Sequence, residues 1–137
     1  MPSSKIISKG FIAAAAMNIS GVLIFSRFFT NEIIPQSDPV VMSNFGLLMI
    51  IVWGFAYLSV AHNYNQAKWL VGVFVVEKLI YGFIWIKWMI NNDLADVYTK
   101  DAMAGIYYAI YGVNDWIFFI FFSYVFFSLI KQSQSTK

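Results

Sequence analysis

Cysteine is absent from this chain of 137 residues. That excludes disulfides, thiolate metal sites, thiol nucleophiles and covalently attached haem in one step. Histidine occurs once, as His62. A bis-histidine haem would need two protomers, and the Glu-x-x-His motif of di-iron bundles is missing. Charge is scarce: 12% of residues are charged, against about 25% in an average soluble domain. The net charge of +2 is too small to point to nucleic acid. No phosphate-binding glycine loop, zinc motif or Ser-His-Asp set is visible. The residue inventory therefore calls for no metal and no cofactor.

What the chain has is apolar surface. Hydrophobic residues make up 60% of it and aromatic residues 20%. A soluble domain of this size leaves too much of its surface in water to hide that share. A bilayer core about 30 Å thick takes roughly 20 apolar residues as a helix. Four stretches qualify: about 7–29, 40–61, 69–90 and 102–130. None shows the alternation of a barrel strand. The links between them are short and polar, with Pro35 and Pro39 in the first and His62 to Gln66 in the second. Short links make successive helices antiparallel neighbours. The expected fold is all-α: one integral membrane domain over 1–137, an up-and-down four-helix bundle. The alanines at 13–16 come too early for a signal-peptide cleavage site, so the first helix is expected to stay. No internal repeat of the kind found in many transporters is evident.

Orientation follows from the basic residues. Lys5, Lys9, Lys68, Lys131 and Lys137 fall on one side with no acid. Arg27, Lys87 and Lys100 fall on the other, among Glu32, Asp38, Asp93, Asp96 and Asp101. The positive-inside rule then puts both termini in the cytoplasm. For Arg27 and Lys87 the simplest partners are Glu32, Asp38 or Asp93. Trp69, Trp85 and Trp88 fall near the ends of the third helix, where aromatic belts form.

Charge inside the bilayer is costly and calls for a reason. Glu77, Lys78 and Asp115 lie near the middle of helices three and four, with Asn18 and Trp53 at similar depth in helices one and two. Glu77 has Tyr81 four residues on, and Asp115 has Tyr111 four residues back. Such residues are neighbours on a helix, so each acid gains a phenol one turn away. Asn18 and Asn114 can donate as well. Lys78 is expected to pair with Asp115 across the helix contact. These eight residues, Asn18, Trp53, Glu77, Lys78, Tyr81, Tyr111, Asn114 and Asp115, are the candidate ligand-binding set. The competing expectation is polar glue between helices. Stripes of small residues, Gly10, Ala14, Asn18 and Gly21 in helix one and Gly105, Ala109 and Gly112 in helix four, allow close packing within the bundle or against a second copy.

Three segments, Met17-Asn18-Ile19-Ser20-Gly21, Trp53-Gly54-Phe55-Ala56-Tyr57 and Glu77-Lys78-Leu79-Ile80-Tyr81, resemble those of small bacterial inner-membrane proteins of four helices. The plan is similar to DoxX-like and EXPERA-type bundles. The EXPERA likeness implies acids in a central pocket for sterol-like ligands, with Glu77 and Asp115 of the matching type. Three functions stay open. One is binding of a small apolar or lipid-like ligand; another is an oligomeric proton or ion path. The third is a structural or assembly subunit of a membrane complex. Membrane lipids, a second copy or a complex partner are the expected company.

Overall fold

A computed structural model describes residues 3–135, so Lys137, used above for orientation, lies outside the described residues. The chain is helical, and no strand occurs among the described residues. Its elements are α1 (Ser4–Phe25), α2 (Ile33–Ser37), α3 (Asn44–Val60), a 3-10 turn (Tyr64–Gln66), α4 (Lys68–Asn91), α5 (Leu94–Lys100) and α6 (Ala102–Ser135). By length and composition, α1, α4 and α6 are long and apolar enough to cross a membrane. Helix α3 is a shorter apolar helix of 17 residues. At 1.5 Å per residue it is about 25 Å long, while α6 reaches about 51 Å.

The expected boundaries shift at the end of α1 and the start of α3. Helix α1 ends at Phe25, not near residue 29, because Arg27, Phe28 and Phe29 all take positive φ, at 47°, 54° and 68°. That conformation costs an L-residue about 1–2 kcal/mol each. Local bonds offset it: Ser26 Oγ accepts from the Phe29 N–H at 2.9 Å, and the Thr30 hydroxyl donates to the Arg27 carbonyl at 2.7 Å. Helix α3 starts at Asn44 rather than near 40, since Ser43 caps it by accepting from the Gly46 N–H at 3.1 Å. The first and third links hold short helices, α2 and α5.

Helix α1 packs chiefly on α3, and α4 on α6; α1 also meets α6, and α5 lies on α6. Small residues set the close contacts. The Trp85 ring of α4 fills the space beside Gly112 of α6, and the Trp116 ring of α6 fills that beside Gly82 of α4. Gly54 of α3 faces α1, where a Cβ would lie 3.2 Å from the Ala15 carbonyl oxygen. Gly10 receives the Phe121 ring and Gly105 the Tyr98 ring. These glycines of α1 and α6 thus accept rings from the same chain.

The core has two parts. One joins Ile7, Phe11, Tyr57, Val71, Phe74, Phe122 and Val125, at the end where the N-terminus of α1 and the C-terminus of α6 lie. The other joins Val22, Ile34, Leu47, Trp88, Tyr107 and Tyr108 at the opposite end. The outer surface is apolar as well: Phe83, Phe127 and Ile90 are exposed, Ile90 by 77%. Trp69 is exposed, as an interface residue would be, but Trp88 is buried and Trp85 half-buried against Gly112. Trp88 stacks on Tyr108 at 4.2 Å and donates to the Ser37 carbonyl at 3.0 Å. Both indoles serve packing and carbonyls rather than a belt.

Candidate functional site

The polar layer lies between the two core clusters. Helix α1 brings Asn18, α3 brings Tyr57, α4 brings Glu77 and Lys78, and α6 brings Asp115. All five are buried. Lys78 is the centre: its ammonium donates to Asp115 Oδ1 at 2.7 Å and to Asn18 Oδ1 at 3.2 Å. It stands 3.9 Å from Glu77 Oε1 and 5.2 Å over the Tyr57 ring, within cation–π range. Asn18 passes its own amide to the Ile50 carbonyl at 3.1 Å. Glu77 accepts from the Tyr57 hydroxyl through Oε2. One cation therefore faces two carboxylates, and four helices meet through their side chains.

A cavity of about 50 Å³ adjoins this group. Asn18, Glu77, Lys78, Tyr81, Tyr111, Asn114 and Asp115 all line it. Of the eight candidates only Trp53 does not; its half-buried indole packs edge-on against Phe74 at 6.3 Å, on the edge of the first core cluster. The exposed part of the rim comes from Met17 of α1 and Ile110 of α6. The gap between those two helices is framed by ring contacts. Phe11 meets Phe122 at 5.2 Å on one side, and Phe25 meets Tyr107 at 6.2 Å on the other. Gly21 lines the cavity too, and nothing lies within 4 Å of where its Cβ would be.

The phenols are not where helical spacing puts them. Glu77 bonds Tyr57 of α3, which the candidate set omits, and makes no hydrogen bond with Tyr81 of its own helix. The Tyr111 hydroxyl is buried with no hydrogen-bond partner, so it does not serve Asp115. Tyr107, also outside the set, lines the cavity and donates to Met42 Sδ at 3.1 Å.

A second polar cluster closes the far end. Asp101 accepts from Arg27 at 2.7 Å, from the Asn31 amide at 2.8 Å and from the Ala104 N–H at 2.8 Å. Slight burial works against the charged form, but these three donors and the guanidinium charge hold its carboxyl below the usual range. Arg27 thus pairs with Asp101 and not with Glu32, Asp38 or Asp93, and Lys87 forms no ion pair among the described residues. At the opposite end Ser8 meets His62 Nδ1 at 3.2 Å, and Lys68 donates to Ser133 at 3.0 Å. His62 is an exposed residue in a polar turn.

No model of a known protein family, no curated protein and no solved structure matches this chain.

Proposed function

We propose that this is a multi-pass protein of a bacterial inner membrane that binds a small lipid-like ligand in the cavity between α1 and α6. Helices α1, α3, α4 and α6 would form an up-and-down transmembrane bundle, with α3 crossing although it is short. A short span is accommodated by local thinning of the bilayer, and Asn44–Val60 contains no charged residue. Both termini would be cytoplasmic: Lys5, Lys9, Lys68 and Lys131 lie at one end, where the described residues hold no acid. The bacterial setting rests on the resemblance of the three helix segments.

The observation that carries the ligand is Tyr111. A buried hydroxyl without a partner is expensive to maintain, and most such groups are satisfied. Here it stands on the wall of a cavity that also exposes two carboxylates, an ammonium and two asparagines. Polar glue alone would not leave a hydroxyl unused beside an opening. The inner half argues against a through path for protons or ions. Phe11, Tyr57, Phe74 and Phe122 are fully buried there and pack ring on ring. Liposomes carrying the protein should hold a pH gradient as well as empty ones; flux that stops on Asp115→Asn would favour the path instead.

Native mass spectrometry of protein extracted with its lipids tests the pocket. The expected result is a small molecule of constant mass on the unaltered chain that is lost from Gly21→Phe, whose ring would block the opening of the cavity. Bare protein in both cases would sink the proposal.

A further inference from the structure

One cation faces two carboxyl groups at the cavity, and this identifies the class of ligand. Building on the pocket just proposed, we infer that the cavity receives the positively charged head of an amphiphilic amine, whose hydrocarbon tail lies between α1 and α6. With all three groups ionised, Glu77, Lys78 and Asp115 sum to minus one. No second cation pairs with either acid among the described residues. Lys78 is committed to Asp115 and Asn18. At 3.9 Å from Glu77 Oε1 it is beyond hydrogen-bond reach, so that oxygen accepts no hydrogen bond from it. An ammonium supplies both a counter-charge and N–H donors. The Tyr111 hydroxyl oxygen accepts one of them. Tyr81, Tyr107 and Tyr111 provide the ring lining that attracts a cation. An anion would meet uncompensated carboxylate, and a neutral hydroxyl would gain hydrogen bonds without the charge.

Size separates head from tail. A cavity that binds benzene measures about 150 Å³, and this one about 50 Å³. An ammonium head fits inside it, whereas a ring or an alkyl chain must extend beyond it into the opening between α1 and α6. The exposed rim residues Met17 and Ile110 are apolar, which suits a chain leaving the cavity sideways into lipid.

The test uses the purified full chain in neutral maltoside micelles with three ten-carbon probes: decylammonium, decanol and decanoate. Dissociation constants are measured at one fixed detergent concentration. Decylammonium should bind at least tenfold tighter than decanol, and decanoate weakest. Glu77→Gln should reduce decylammonium to the affinity of decanol, while Gly21→Phe should abolish saturable binding of all three. Decanol or decanoate binding as tightly as decylammonium, with loss in Gly21→Phe, would overturn the cationic class and leave the pocket standing. No saturable binding of any probe, or binding indifferent to Gly21→Phe, would overturn the pocket itself. Should Glu77→Gln fail to fold, the three-probe comparison and Gly21→Phe decide the matter on their own.

Discussion

Lys78 is the residue on which the interior depends. It is 1% exposed, and removing its charge would leave two buried acids uncompensated. Breaking such a group by deleting one partner typically costs 3–5 kcal/mol. Lys78→Met should therefore lower the free energy of unfolding in micelles by about 3 kcal/mol, and adding Asp115→Leu should restore much of it. The double variant remaining as unstable as the single one would mean that the loss comes from packing. The Lys78–Asp115 pair is legible in the sequence, because an isolated midplane ammonium needs a partner and α4 and α6 are long enough to supply one. The partner of Glu77 is not. Tyr57 of the neighbouring α3 takes the Glu77 carboxylate. On α6 the Tyr111 hydroxyl stays without a partner, in a side chain that lines the cavity. Spacing along one helix identifies neighbours, but it does not say which of them a carboxylate bends toward.

At the scale of elements, the α4–α6 contact is an exchange of indoles for glycines. Gly112→Leu would drive a side chain into the Trp85 ring, and overpacking of this kind costs about 1–3 kcal/mol. Thermal unfolding should fall accordingly. Gly21→Phe is the control on α1. Its Cβ meets open space, and the helix propensity gained over glycine is about 0.5 kcal/mol, so stability should stay close to that of the unaltered chain. The Asp101 cluster ties the end of α1 to the start of α6, and its pH dependence has a definite sign. A carboxyl whose pKa is lower folded than unfolded stabilises the fold above its unfolded value, about 3.9. That contribution disappears as pH falls through the lower folded value. Thermal stability should thus drop below about pH 4, and Asp101→Asn should flatten that part of the profile. These end structures were poorly legible. The run through Phe28 and Phe29 reads as more helix, and no glycine marks the left-handed turn that stops it. Ser26 and Thr30 hold that turn locally, and Asp101 does so from a position that only the fold brings near.

For the whole molecule, the absence of cysteine makes topology directly measurable. Single cysteines at Ser8 and Ser133 should react with a membrane-impermeant reagent from one side only, and one at Asp93 from the other. Labelling of all three from one side would rule out the proposed crossing pattern. The all-helical architecture and three of the long apolar helices follow from hydropathy, because lipid leaves the backbone only helices or closed barrels and no stretch alternates like a barrel strand. The lateral gap between α1 and α6 does not. It results from ring pairs above and below a glycine, and linear periodicity carries no trace of it.

That sideways gap changes what affinity means for the occupant we propose. Such a molecule dissolves in the bilayer before it meets the protein, so the concentration that governs occupancy is its mole fraction in lipid, not its molarity in buffer. Each added methylene favours partitioning by about 0.8 kcal/mol, roughly fourfold. Homologues with longer chains should look progressively stronger when dosed from water, yet superimpose on one isotherm once plotted against membrane content. Even a weak hold on the head group would then suffice to fill the protein at trace aqueous levels.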